Sequence, residues 1–458
     1  MATVEEVLEF MKTSDAKWVD LQFVGIDGQL YHKSVPAKSV NDETFAGGFE
    51  TELGEVFGFT GKSLALLPDQ DTYARVPWEA STMRVISNVY TMPEKERFAK
   101  DSRYSIDRVN INAKALGISD VQLGCDVEFY IFDNVTLEKV ANDRGPNYLV
   151  ETHEGNWNPS PYFNAKNGAY IGQPHDTLYP ARTQIAELMD ETFRYGIDSH
   201  SHGKSANGQQ KMKIREYNAK MAADALITLK YVAKNTAFVA NNIATFMPLP
   251  IASDRGNSAN ITQRLKKGSA NLFYDEKDDY AQLSQTASYY IGGLLEHAEA
   301  LCLFTMPTTN SYKKMRADPR YAVWGKTNQN ALVQVSGAYK TEDRVISYCG
   351  ADSSINPYLA YTAVVAAGLD GIKNKTDAGK PVDENFADMD SKRAKELKIK
   401  PLPGSISEAI AALDGDNKFL KGFLSPELLG EYLEMRLSEQ KENERRPTAF
   451  EIEKYFNR

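Results

Sequence analysis

Apolar residues at Val4, Val7, Leu8 and Met11 recur at the spacing of one helical face, after which the chain switches to alternation at Val19, Leu21 and Phe23. The alternating run meets Asp27-Gly28 and resumes through Leu30, which predicts a helix followed by a β-hairpin. The stretch from Asp101 to Asp107 turns polar, so a boundary is expected near residue 103, dividing the chain into 1–103 and 104–458. Beyond it, strand-like segments at Val121–Phe132 and Gln209–Glu216 alternate with long helical patterns, among them Ala222, Leu226, Leu229 and Ala233 on one face. Asn356-Pro357 and Ser425-Pro426 each pair an N-cap side chain with proline at the first helical position, and predict helix starts. No internal repeat or long low-complexity tract interrupts this α-with-β pattern, and Glu439–Arg446 reads as a solvated helix end.

Composition narrows the class. A chain of 458 residues with 42% hydrophobic content can bury a large core and divide into domains. No run approaches the roughly 18 apolar residues of a membrane span, and Met1–Lys12 is acidic and amphipathic, so a cytoplasmic location and no membrane partner are expected. Cys125, Cys302 and Cys349 lie far apart, which supports neither a disulfide framework nor a zinc site. A net charge of -9 argues against nucleic acid as a partner.

Several phrases then carry a resemblance: Leu21–Leu30 (LQFVGIDGQL), Leu66–Thr72 (LLPDQDT), Ala244–Pro250 (ATFMPLP), Asn271–Asp275 (NLFYD), Ile291–Leu295 with His297, Pro307–Lys313 (PTTNSYK) and Asn356–Ala360 (NPYLA). In order and spacing the series resembles type I glutamine synthetases along the whole chain. The resemblance implies an α+β fold, with an N-terminal β-grasp domain and a catalytic-like domain built on a curved antiparallel sheet flanked by helices. It also implies a ring-shaped homo-oligomer, hexameric or dodecameric, with sites between neighbouring subunits.

In that family two divalent ions bridge the ATP phosphates, and hard cations need several oxygens converging on one point. The family's Glu-x-Glu strand corresponds to Gly124–Asp133, whose Asp126 and Glu128 fall on one face by alternation. The other positions aligned to metal ligands have changed: they read Gly203, Lys211, Asn260 and Ser347. The first metal site is thereby reduced to Glu128 beside a lysine, and the second to Asp126. A cation about 4 Å from an ammonium costs roughly 4 kcal/mol per charge pair at an effective dielectric near 20. Lys211, Lys213 and Arg215 share a strand face, so an ion-pair cluster with Asp126 and Glu128 is expected where magnesium would sit. His200 and His202 are read as hydrogen-bonded or exposed side chains, not as a substitute metal site.

The positions aligned to phosphate-binding and substrate-binding arginines read Lys314, Thr327, Gln329 and Cys349, of which Lys314 alone keeps a charge. Cys349 reads as packing, with no base beside it. The lid segment Met315–Val323 is shorter than the family's, with Asp318 in place of its acidic residue, while Glu52 and Glu55 keep carboxylate character in the ammonium-binding loop. The tyrosine used for adenylylation in some bacterial members is missing from Asn385–Arg393.

The leading expectation is a non-catalytic homologue, a structural, binding or regulatory oligomer in nitrogen metabolism that needs no cofactor and is able to co-assemble with an intact glutamine synthetase. The alternative is an active ligase with a remodelled site, using magnesium and ATP to join glutamate to ammonia or another amine. A third reading, an ordinary enzyme with misassigned ligands, meets the absence of any histidine between His202 and His297.

Overall fold

The computed structural model describes residues 2–58, 63–138, 147–157, 176–205, 207–335, 343–384 and 402–456, with the single positions 392, 399 and 458. The segment Asn385–Arg393 lies outside these apart from Lys392, and so do the side chain of Glu55 and the link at residue 206.

The predicted first helix is α1 (Val4–Thr13), closed by a Thr3–Glu6 capping box and burying Val7 and Met11. The hairpin follows as β1 (Trp18–Val24) and β2 (Leu30–Pro36), turned at Gly28 with φ +83°. Next come α2 (Asp42–Gly47), β3 (Phe49–Thr51), α3 (Gly54–Phe57), β4 (Leu64–Pro68), β5 (Ala74–Arg75), β6 (Thr82–Thr91) and β7 (Glu96–Arg97). These strands form one sheet ordered β2-β1-β6-β4-β3, with β5 and β7 also on β6 and with β1 parallel to β6. It is the small β-grasp unit that the family resemblance implies; the alternation along the chain suggests antiparallel strands throughout, and the β1–β6 pair departs from that.

After α4 (Ser102–Ala115), the long β8 (Asp120–Phe132) is the central strand of the second sheet, and β9 (Asn134–Glu138) pairs with β10 (Asn147–Glu151) as a separate ribbon. The chain continues through α5 (Tyr179–Glu187), β11 (Ile197–His202), β12 (Gln209–Asn218), α6 (Ala219–Val239), β13 (Ile243–Thr245), β14 (Ala259–Lys267) and β15 (Ala270–Asn271). Then come α7 (Gln285–Glu296), α8 (Ala298–Thr305), α9 (Thr309–Ala317), β16 (Tyr321–Gly325), β17 (Ala331–Val335) and β18 (Ile346–Tyr348). The chain ends in α10 (Pro357–Asn374), α11 (Ile406–Gly415), α12 (Pro426–Glu444) and α13 (Ala449–Tyr455). Helices α10 and α12 start at the two predicted Asn-Pro and Ser-Pro signals, with Asn356 and Ser425 accepting the N–H groups of Tyr358 and Leu428.

The second sheet runs β11-β12-β8-β14-β18-β17-β16. It departs from the expected antiparallel arrangement at its end, where β16 lies parallel to β17. The link 326–330 doubles back there because Asp383 accepts the N–H groups of Lys326 and Thr327, and Asn328 donates to the Val382 carbonyl.

One buried clasp joins the two sheets. Arg103 of α4 grips Asp224 of α6 through two hydrogen bonds of 3.0 and 2.7 Å, and also donates to Asn88 and Asp69 of the first sheet. Tyr358 of α10 completes it with a 2.6 Å bond to Asp224. Burial pushes the Asp69 carboxyl up, but Arg103 and Lys220 outweigh it and hold it well below the usual carboxylate range.

Candidate functional site

Strand β8 turns Val127 and Phe129 into the core and presents Asp126 and Glu128 on the opposite face. On one side β12 sets Lys211 opposite Glu128 and Lys213 opposite Asp126; on the other β14 sets Asn260 opposite Asp126. The expected ion pair forms on the diagonal: Lys211 Nζ lies 2.8 Å from Asp126 Oδ2. Burial works against the charge of Lys211, yet Asp126 raises its pKa above the ordinary lysine value. Arg215 turns away and pairs at 3.0 Å with Asp198 of β11, so the cluster is smaller than the strand pattern predicts.

Glu128 makes a different bond. Its Oε2 accepts the Ser258 N–H at 3.0 Å, and burial pushes its pKa up in spite of Ser258, Lys211 and Lys314. At Gly203, where the resemblance places a ligand glutamate, a Cβ would stand 2.5 Å from Gln209 Cγ, so the Gln209 side chain already fills that volume. Asp126 Oδ1 and Asn260 Oδ1 are buried without hydrogen-bond partners. Two carboxylates, one paired with the Lys211 ammonium and the other bonded to the Ser258 N–H, with one amide oxygen do not fit a divalent ion, which needs bunched anionic oxygens. Among the described residues no group of three or more His, Cys, Asp or Glu side chains converges as metal ligands.

The other candidate positions separate. Asp318, Gln329 and Cys349 join Glu128, Lys211 and Asn260 around a polar cavity of about 330 Å³. Cys349 is buried, and burial pushes its thiol up to about 11, so it is a neutral packing group at physiological pH. Lys314 is buried beneath the cavity beside Gly256, its pKa lowered by burial. Ser347 is held within the sheet opposite Thr262 and Gln334. Thr327 is tied by its N–H to Asp383 and stays out of the lining, and Glu52 is exposed on the first sheet's side of the molecule. His202 is buried against Glu154 at 2.8 Å, as a hydrogen-bonded histidine.

Three cations of this cavity were not singled out from the sequence. Lys204, Arg255 and Arg320 line it together with Lys211, and Arg320 is paired at 3.2 Å with Asp318. Their sequence signal is position, because each sits inside or beside a phrase that the resemblance pairs with the family's site: SHGKS, DRGNS and MRADPR.

A family profile described as "Glutamine synthetase, catalytic domain" matches residues 99–455. The chain belongs to the glutamine synthetase family. Glutamine synthetase of Sulfolobus acidocaldarius is 35% identical to it, covering 99% of this chain and 98% of the relative, and that of Salmonella typhimurium is 31% identical over 99% and 100%. Among solved structures, the Plasmodium falciparum glutamine synthetase superposes with a TM-score of 0.88 at 20% identity, covering 99% of both chains. A structure titled GmaS without ligand superposes at 0.83 with 22% identity and complete coverage of both chains. At those identities the structural likeness shows the fold, and the family's α+β architecture is the one observed. No helix among the described residues is long and apolar enough to cross a membrane.

Proposed function

We propose that this glutamine synthetase-family protein is a ligase with a remodelled site, coupling ATP hydrolysis to the joining of glutamate, or a similar acidic amino acid, to ammonia or another amine. The observation that carries this is the convergence of Lys204, Lys211, Arg255 and Arg320 on one polar cavity. Fixed cations around a cavity favour charge that develops on phosphoryl oxygens or an acyl phosphate, and need no reorganisation to do so. Lys211 holds positive charge at the position aligned to a metal ligand, and Glu128, with its raised pKa, holds or releases a proton beside it. The full-length relatives named glutamine synthetase support this reading better than a non-catalytic one.

A second reading, a non-catalytic structural, binding or regulatory subunit working alone or with an intact glutamine synthetase, is favoured by the ion pair of Lys211 with Asp126 and the poor fit for a divalent ion. In either case we place the protein in the cytoplasm as a ring-shaped homo-oligomer of six or twelve subunits. Exposed apolar side chains on the β9–β10 ribbon (Leu137, Tyr148, Leu149) and along α13 (Phe450, Ile452, Tyr455) support self-association.

The test is release of ADP and phosphate by the purified protein with ATP, glutamate and ammonia or methylamine, with and without magnesium. Amine-dependent turnover that falls when Lys211→Met is introduced is the expected result. Absence of turnover with every amine, in protein that still assembles, overturns the ligase reading in favour of the second.

A further inference from the structure

Away from the cation-lined funnel, a larger cavity of about 460 Å³ lies on the seam between the β1–β2 hairpin and helix α6. Lys230 and Lys234, one turn apart on α6, both contribute to its wall, with His32 from β2 and Thr308 from the start of α9 on the other sides. Lys230 Nζ donates to the Ile355 carbonyl at 2.7 Å and lies 5.8 Å from the centre of the Phe246 ring. Neither lysine has a carboxylate within ion-pair distance among the described residues. Glu439, the one carboxylate in the described lining, is engaged at 2.6 Å by Arg436.

This arrangement is unfavourable for the ligand-free protein. Like charges four residues apart on a helix repel, and the half-buried Lys230 ammonium loses solvation, whereas Lys234 is exposed at the rim. Burial, helped by the charge of Lys234 and only partly opposed by Asp352, pushes Lys230 down to about 7. An anion in the cavity would relieve both effects. Its volume suits a small molecule, and Phe246, Met247 and Pro248 supply an apolar surface for the rest of such a ligand.

We propose that this seam cavity is a second binding site, distinct from the funnel, for a small anionic metabolite that presents a carboxylate or phosphate group to Lys230 and Lys234. Its walls come from the first sheet's hairpin and from helices of the larger unit, so an occupant bridges the two.

The experiment is thermal unfolding of the full-length protein with inorganic phosphate and, separately, succinate, each against sodium chloride at equal ionic strength. At least one probe is expected to raise Tm saturably; phosphate alone or succinate alone assigns the anionic group. The rise should disappear in Lys234→Gln and survive in the funnel variant Arg255→Gln. A second measurement needs no variant: acylation of wild-type lysines with an amine-reactive reagent, read by mass spectrometry, should show Lys230 and Lys234 protected by the same probe. A rise abolished by Arg255→Gln but untouched by Lys234→Gln overturns the proposal, as does a lack of both Tm rise and protection.

Discussion

Lys211 of β12 bonds Asp126 of β8 across the diagonal, at 2.8 Å, although its register partner is Glu128. The ammonium therefore holds the carboxylate that both strand neighbours share, while Glu128 is left to the Ser258 N–H. Reversing this charge should restore affinity for a divalent ion. Lys211→Glu places a third carboxylate beside Asp126 and Glu128, and magnesium titrated by calorimetry should bind the variant at least tenfold more tightly than the wild type, equivalent to about 1.4 kcal/mol. Equal affinity in the two proteins would show that the lysine does not control the position.

The clasp between the sheets should be the most sensitive point for stability. Asp224→Ala strips the buried Arg103 guanidinium of its two-bond partner and leaves it Asp69 and Asn88, so the loss should fall below the ~3–5 kcal/mol of a fully unpaired buried charge. Urea unfolding should show that loss, and a double change, Arg103→Met with Asp224→Leu, should recover much of it by removing both charges.

Acid should weaken the same region through Asp69. Its pKa is lowered in the folded state by Arg103 and Lys220 against the effect of burial, so its stabilising contribution is complete above the unfolded carboxylate value of about 3.9. That contribution is lost as pH falls further, toward the folded pKa. Asp69→Asn should flatten the acid limb of a Tm-against-pH curve, with the difference from wild type greatest near neutrality and shrinking below pH ~4.

Lys230 should instead weaken the fold near neutrality, with stability again rising as pH rises. A lysine whose folded pKa is lowered, here to about 7, weakens the fold while its charge is retained in the unfolded chain. The ligand-free protein should therefore gain stability from this group as pH rises from about 7 toward the unfolded lysine value near 10.4. Lys230→Met should raise Tm at pH 7, and the gain should shrink toward pH 10; a gain independent of pH would point to packing alone.

His297 is the last test. Its Nδ1 lies 2.7 Å from Asp416 and its Nε2 3.1 Å from Asp370, with the ring stacked 4.1 Å from the Phe419 ring centre. One imidazole thus ties the α7–α8 junction to α10 and to the end of α11. His297→Ala should cost about 1–3 kcal/mol, because Asp416 and Asp370 lose their ring-nitrogen partner. His297→Gln should retain part of this in the same urea titration.

Much of the fold was legible. The period-2 and period-3.6 runs placed α1, the β1–β2 hairpin, β8, β12 and α6, and the Asn-Pro and Ser-Pro pairs marked α10 and α12, because capping and alternation act over a few residues. The parallel β16–β17 pairing was not, since it depends on Asp383, more than fifty residues away, holding the link between the strands. The site divided in the same manner. The family resemblance pointed to Gly203, Lys211, Asn260 and Ser347 as site positions, whereas Lys204, Arg255 and Arg320 come from three separate segments and carry no mutual spacing that announces a shared cavity.

The sequence by itself determined membership of the family and the strand faces that carry Asp126, Glu128 and Lys211, because these follow from residue identity and local periodicity. Only the tertiary structure decided that Lys211 takes Asp126 and not Glu128, that Gln209 fills the space beside Gly203, and that Lys230 and Lys234 line a seam with no carboxylate at ion-pair distance among the described residues. Those outcomes depend on side-chain reach and on the packing of segments distant in the chain, where burial and neighbouring charge set the energies and residue spacing does not.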